Sequence, residues 1–246
     1  KSRVDAGVRR LIEILRENKI KCTFFVLGKI AEENPDIVEM IDAENHEIAT
    51  HGYSHRLLLR LTPEEFKKDL LLSMQILKNI TGKDVLGYRA PGYSITRDTL
   101  WVLDIIKDCG LRYDSSIYPV SLRLFTHGGI SGYSQKQFFI KDGLVEFPLS
   151  TLNLLGLQFP VATTSYFRLF PYRVTKWAIK RLNDKNIAAT LNFHTWEFDE
   201  NQPKIKLPFF QDIKHYYNLS QTEKRFKRLR NEFNFISCKK WLENFL

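Results

Sequence analysis

Two histidines stand four residues apart in His51-Gly52-Tyr53-Ser54-His55, directly after the run HEIAT. Neutral imidazoles at that spacing reach one side of a turn or helix start and can hold a divalent metal. The pair alone is as common in surface or structural roles, and its place where a strand should give way to a loop favours the metal. His194 closes another apolar run, residues 188–194 (AATLNFH), with Trp196 just beyond. A histidine there is either a core residue bonded to backbone or a general acid or base at a pocket mouth. Trp196 either walls a small apolar pocket or belongs to the core. Arg89 ends residues 85–89 and introduces Pro91-Gly92-Tyr93, a turn able to present a backbone N–H to a developing oxyanion. Read alone, that segment is a surface turn with a structural salt bridge. Asp114, at the end of residues 111–114, is the carboxylate at a strand end that a metal on neutral imidazoles could recruit.

The elements that must position these groups follow from periodicity. Val4, Val8, Leu11, Ile12 and Leu15 mark a helix, and residues 21–28 (KCTFFVLG) a short buried strand. Residues 31–44 read as helix and 46–51 as strand. Thr62-Pro63-Glu64-Glu65 is a capping box opening a helix that runs to about Ile80 and stops at Gly82. Strands at 85–89 and 111–114 flank a helix over 96–109, and an irregular stretch follows. Further on come a strand at 145–151, a helix at 171–186, the strand at 188–194, a basic helix at 220–233, a short FIS strand and a terminal helix. Strands alternating with helices of this length imply an α/β fold, a barrel or a doubly wound sheet. Functional groups of parallel barrels gather at the carboxyl ends of strands, where His51, Arg89, Asp114 and His194 all fall. The order opens on a helix, so a strand upstream of Lys1 is expected beside residues 21–28.

The chain has 246 residues, 43% hydrophobic and 26% charged, which excludes a disordered or collagen-like chain. Three cysteines far apart exclude a disulfide scaffold and argue for a reducing compartment or buried thiols. The net charge of +9 is concentrated: residues 204–240 hold ten Lys and Arg against three acids. No Pro/Gly/Ser linker or repeat divides the chain, so residues 1–246 read as one domain with 202–246 as a basic extension packing on it. Phe226, Leu229 and Phe233 at helical spacing predict that the basic helix packs with its charges in solvent, and no nucleic-acid motif accompanies it. The longest uncharged stretch, 147–167, carries Pro148, Asn153, Gln158 and Pro160, which do not suit a membrane span. No signal peptide is visible, which favours a cytoplasmic or membrane-associated place.

Five segments in order, TFFVLG, HEIATHGYSH, GYRAPGYS, YDSSIYP and FHTWE, resemble the NodB-type polysaccharide deacetylases, carbohydrate esterase family 4. The resemblance runs from Cys22 to Trp196, roughly seventy per cent of the chain. Residues 94–101, 167–172 and 196–203 further resemble the subgroup associated with bacterial exopolysaccharide loci. It implies a distorted (β/α) barrel that is a metal-dependent hydrolase removing N-acetyl groups from hexosamine units of a bacterial polysaccharide or lipid-linked glycan. It further implies His51 and His55 as metal ligands, with zinc foremost and cobalt, nickel or manganese as alternatives. His194 matches the general acid, Arg89 the arginine orienting a catalytic aspartate, and Asp114 the aspartate positioning the acid histidine. Pro91, Gly92, Tyr93 and Trp196 match substrate-binding positions, with the oxyanion N–H on Gly92 or Tyr93. Two motifs depart from the family: DSSIYP replaces Asp-x-x-Trp, and RAPGY replaces R-P-P-Y.

The family's paired-acid motif, source of the base and third metal ligand, has no match before Lys21, since Asp5 lies in a helical pattern. The resemblance therefore places it upstream of Lys1, the alternative being a truncated, inactive relative. Expected partners are an N-acetylated glycan and, through the basic segment, an anionic glycan or membrane surface. An allantoinase-like amide hydrolase and a non-catalytic glycan binder are the competing readings.

Overall fold

The computed structural model describes residues 3–120, 129–161 and 163–245. Helix α1 (Val4–Glu17) buries the predicted stripe of Val8, Leu11, Ile12 and Leu15. Strand β1 (Thr23–Val26) leads into α2 (Gly28–Glu33) and α3 (Pro35–Ala43). These replace the single helix expected over 31–44. Pro35 supplies no N–H, and Asn34 before it leaves the helical region at φ −142, ψ 66. After β2 (Glu47–Thr50), α4 (Pro63–Thr81) opens as predicted. Glu65 N–H donates to Thr62 Oγ1 at 3.2 Å, Thr62 N–H donates to Glu65 Oε2 at 2.9 Å, and Gly82 ends the helix at φ 69. Then follow β3 (Gly87–Tyr88), α5 (Val102–Asp108) and β4 (Tyr113–Asp114). At Gly87 a Cβ would lie 1.9 Å from the Tyr113 ring, so only glycine fits beneath that side chain.

Beyond β4 lie a hairpin of β5 (Phe138–Lys141) and β6 (Leu144–Glu146), then a second of β7 (Thr151–Leu154) and β8 (Leu157–Pro160). The remaining helices are α6 (Thr164–Leu169), α7 (Tyr172–Asn183), α8 (Phe209–Tyr216), α9 (Thr222–Glu232) and α10 (Cys238–Phe245).

Six strands form a mixed sheet in the order β1-β2-β3-β4-β6-β5, parallel except for β5. The α/β class is as read, but among the described residues the strands form an open sheet with β1 and β5 at its edges. Residues 188–194, expected as a strand, join no ladder. Thr190 N–H bonds Ser150 Oγ at 2.7 Å, Ser150 N–H reaches Thr190 O at 3.3 Å, and Asn192 makes one bridge with Thr163. A side chain supplies one of these bonds, which leaves the segment extended and not a strand. The FIS segment likewise forms no strand, and what read as irregular between Asp114 and Val145 contains β5.

Register sets the site. Val26, Thr50, Tyr88, Asp114 and Glu146 pair across neighbouring strands in one row. The next residue on each of the three middle strands, His51, Arg89 or Ser115, therefore stands at the carboxyl rim. The ladder continues into that rim, with His51 N–H on Val26 O (2.9 Å), Arg89 N–H on Thr50 O (3.0 Å) and Ser115 N–H on Tyr88 O (2.9 Å).

The basic C-terminal segment is bonded to the body. Phe226 and Leu229 are buried, and Trp241 packs edge-on against Phe147 at 5.1 Å. Arg225 Nη1 donates to the carbonyls of Phe167, Arg168 and Phe170 at 2.9–3.0 Å, and Arg230 Nε to Asn18 O at 3.0 Å. Lys227 pairs with Glu17 and Glu223, while the Arg228 guanidinium lies 4.2 Å above the Tyr172 ring. The expectation that this helix turns its charges to solvent is thus corrected for Arg225, Lys227 and Arg230, whereas Arg228 is exposed. Among the described residues no helix is long and apolar enough to cross a membrane.

Candidate active site

The loop after β2 is shaped from below. Gly52 N–H donates to Thr50 Oγ1 (3.1 Å), which is hydrogen-bonded to Ser73 Oγ of α4 (2.7 Å). Asp69, one turn earlier on α4, accepts from Tyr53 N–H (2.6 Å), Ser54 N–H (3.2 Å) and Ser54 Oγ (2.5 Å). Gly52 stands at φ 76 and a Cβ there would come within 2.9 Å of Asp69 Oδ2, so the clasp requires glycine. His55 itself is held at φ 56, a left-handed conformation that a non-glycine residue adopts at a cost of order 1–3 kcal/mol. The outcome is that the His51 and His55 rings meet edge to face with centroids 5.3 Å apart.

His51 Nδ1 bonds Arg89 O at 2.6 Å. With the carbonyl as acceptor, Nδ1 carries the proton and Nε2 keeps its lone pair. Burial pushes His51 down to about 3, with His55, Arg89 and His194 adding repulsion, and burial lowers His55 as well. Both rings are therefore neutral donors at physiological pH and fit two positions in the shell of a divalent ion. Among the described residues no cluster of three or more His, Cys, Asp or Glu gathers to complete a protein-only site.

Arg89 is buried at the next strand end. It donates from Nε to Ser115 O (2.9 Å), from Nη2 to Ser115 Oγ (2.7 Å) and from Nη1 to Asn192 Oδ1 (2.6 Å), with its guanidinium 4.0 Å from the Phe25 ring centroid. Its recorded partners are neutral, and it holds His51 through its own carbonyl. In the turn that follows, Pro91 is buried and Gly92 and Tyr93 both adopt positive φ, 62 and 53. Tyr93 N–H is used on Ala90 O at 3.1 Å, which leaves Gly92 as the better-placed oxyanion donor of the two. The Tyr93 ring packs on Tyr118 at 5.4 Å, and burial pushes its phenol up to about 12.

His194 lies on the far side of the same rim, its side chain 54% exposed. Partial desolvation of this half-exposed ring lowers it from the usual imidazole value to about 4, with Lys214, Arg89, His55 and Arg168 adding to the effect. That mutual influence is the signature of convergence: His51, His55, Arg89 and His194 share one electrostatic environment. Trp196 stacks closely on His215, with ring centroids 4.0 Å apart, and lies near-parallel to His194 at 5.7 Å.

Asp114 does not join them. It is fully buried on β4, where Ser116 Oγ donates to Oδ1 at 2.5 Å. Its other neighbour is Glu146, itself bonded by Ile117 N–H at 2.9 Å. Burial pushes both carboxyls up, and the neighbouring Asp114 charge raises Glu146 further. The carboxylate beside His194 belongs instead to Glu197. Neither Glu197 nor Asp69 was singled out by sequence reasoning, although Asp69, next to buried Leu70 on an amphipathic helix, carried a faint signal of its own.

A family profile for polysaccharide deacetylase matches residues 4–113, and a profile described as a domain of unknown function (DUF3473) matches residues 115–243. Residues 4–113 belong to the polysaccharide deacetylase family, and residues 115–243 to the DUF3473 family. The DUF3473 region supplies the second half of this member. A peptidoglycan deacetylase of Helicobacter pylori is 29% identical over 113 residues, 46% of this chain and 38% of that protein. The chain thus spans well under half the length of that relative. A presumed polysaccharide deacetylase of Mycobacterium smegmatis superposes with a TM-score of 0.67 at 21% identity, covering 97% of this chain and 76% of the other. An allantoinase superposes at 0.61 with 15% identity, covering 94% and 68%. Fold likeness therefore spans both deacetylases and an allantoinase, as the competing readings anticipated. Within the family, the boundary between the two profiles falls between Tyr113 and Ser115, so the histidine pair and His194 come from different halves of this deacetylase relative.

Proposed function

We propose that the protein hydrolyses N-acetyl amides on hexosamine units of a polysaccharide. The observation that carries this reading is the edge-to-face pairing of His51 and His55 at the sheet rim, beside Arg89 and within electrostatic reach of His194. Its relatives include peptidoglycan, chitin and chitooligosaccharide deacetylases. When bound at His51 and His55, a divalent ion, zinc first among the candidates, supplies Lewis acidity and lowers the pKa of a water toward ~7. The Arg89 carbonyl fixes the tautomer of His51, and Asp69 fixes the loop that brings His55 to it. In this reading Gly92 N–H donates to the oxyanion, a contact of a kind worth about 3 kcal/mol, as water adds to the acetyl carbon and gives its proton to a general base. As the C–N bond breaks, its electron pair stays on nitrogen and His194 delivers the proton, so that acetate and a free amine leave. The exposed cations of the C-terminal segment belong to this reading as contact for an anionic glycan or membrane surface.

Acetate release from N-acetylated chitooligosaccharide and from peptidoglycan fragments, measured with added zinc, cobalt, nickel or manganese and with a chelator, tests the proposal. Metal-dependent release is expected. Turnover of allantoin without acetate release would favour the ureide alternative, and glycan binding with neither reaction would favour a non-catalytic binder.

A further inference from the structure

His194 is surrounded by cations. Lys214, Arg89 and Arg168 each repel a proton on its ring. A general acid in such company needs a carboxylate, and Asp114, to which the resemblance gave that part, is bonded elsewhere. Glu197 stands in its place. Its Oε2 accepts the His194 backbone N–H at 2.9 Å and lies 3.8 Å from His194 Nδ1. The Glu197 backbone N–H in turn donates to His194 O at 3.0 Å, closing the turn at Thr195–Phe198. Glu197 Oε2 is thus an acceptor within reach of a protonated Nδ1–H wherever Glu197 is ionised.

A fully buried carboxylate is costly unless paired. Arg168, itself buried, pairs with it: Nε donates to Glu197 Oε1 at 2.9 Å. The rest of the guanidinium binds the end of α8, with Nη1 on the carbonyls of His215 and Tyr217 and Nη2 on that of Lys214, at 2.8–2.9 Å. A cation at the carboxyl end of a helix also suits the helix dipole. All of these residues lie in the DUF3473 region.

We propose that Glu197, clamped by Arg168, is the positioning residue of His194, supporting its protonated form and its ring orientation during acid catalysis. This rests on the deacetylase reading for its catalytic half, and the experiment separates the two. In Glu197→Gln the amide oxygen still accepts the His194 N–H, so the turn keeps its cap while the charge is removed. On an N-acetylated oligosaccharide kcat should fall at least tenfold with KM nearly unchanged, within the about 10²–10⁴ a positioned general acid contributes. On 4-nitrophenyl acetate, whose leaving group needs no proton, the same variant should stay within about twofold of wild type. Glu197→Asp, which keeps the charge, should recover part of the loss. Equal losses on both substrates, or no loss on the amide, would overturn the proposal.

A second readout needs no turnover. The ¹⁵N ring resonances of His194, assigned by their disappearance in His194→Gln, should titrate about one unit lower in Glu197→Gln than in wild type. An unchanged midpoint in the folded variant overturns the proposal even if no acetyl substrate is cleaved. A lowered midpoint in a protein that cleaves none sustains the pairing and rejects the deacetylase reading alone. Should Glu197→Gln fail to fold, Arg168→Lys, which keeps a cation near the carboxylate and loses two carbonyl bonds, is to be read with the same two substrates and the same resonances.

Discussion

The two halves of the molecule are held together by different physics. Up to β4, order comes from apolar periodicity: helices cover a parallel sheet, and one register row delivers His51 and Arg89 to its rim. After β4, long-range bonds from side chains to backbone carry more of the order. Arg168 ties α6 to α8, Arg225 ties α9 to the end of α6, and Gln137 Nε2 reaches Ala188 O at 2.8 Å. In the proposed reaction the first half supplies two neutral imidazoles, and the second supplies the proton donor and the charges around it. A reaction that needs both then depends on the junction between the halves, where Arg89 bonds Asn192 at 2.6 Å.

The sharpest way to break that division is to remove one histidine from each half. His194→Ala should lower turnover by about 10²–10⁴, leaving bound metal and thermal stability unchanged. His51→Ala should remove both metal and turnover. Metal content by mass spectrometry beside acetate release decides it: loss of metal in His194→Ala would mean that the halves do not divide the chemistry in this way.

Arg168→Ala tests the second half by itself. Removing one partner of a buried pair typically costs 3–5 kcal/mol, here with three helix carbonyls also left without a donor. Urea unfolding reads that loss, and a change below 1 kcal/mol would show that the guanidinium does not hold α8. The pH dependence has a defined sign. Burial raises Glu197 from 4.5 to about 7, with Arg168 opposing. The folded protein thus keeps a proton that the unfolded chain releases, so the contribution of this group falls as pH rises from about 4.5 to 7. Glu197→Gln should flatten that part of the stability profile. His194 acts oppositely: its value, depressed from 6.5 to about 4, gives stability that is present above 6.5 and lost as pH falls toward 4.

The same contrast explains what was legible in the sequence. The Thr62 capping box, the α1 stripe and the strand ends at His51 and Arg89 are local patterns, and the structure has them where periodicity puts them. Helix α8 opens with exposed Phe209 and Phe210 and buries none of its residues, so no apolar stripe betrays it. Glu197 sits three residues from His194, yet only the position of Arg168, twenty-nine residues back in the chain, reveals it as a buried paired carboxylate. The surroundings of Asp114 were hidden for the converse reason. A strand-end position says which way a residue faces, and a strand was expected over 145–151, but its pairing with β4, which sets Glu146 opposite Asp114, carries no local signal.

Asp69 offers a smaller test, confined to the first half. Its two oxygens serve two backbone amides and the Ser54 hydroxyl, and Asp69→Asn keeps one acceptor while turning an N–H toward the others. Support of this kind around metal ligands is typically worth about 10–100-fold in affinity. Zinc affinity measured by competition with a chromogenic chelator should weaken by that factor while His194 resonances stay in place. Unchanged affinity would mean that strand and ladder position His51 and His55 without the clasp.

The smallest effect concerns the basic helix. Arg225, Lys227 and Arg230 are engaged with the protein, whereas Lys224 and Arg228 are exposed on the same helix, Arg228 over the Tyr172 ring. If the charge of this segment serves chiefly to bind it to the body, Lys224→Gln should change stability by no more than about 0.5 kcal/mol. Co-sedimentation with anionic vesicles or an anionic glycan at low salt then asks whether the remaining surface charge has its own task. A marked loss of association in Lys224→Gln, erased for both proteins by high salt, would assign the exposed cation to a charged partner. No change would leave the helix as a clamp, its cations closing the second half of the molecule onto the first.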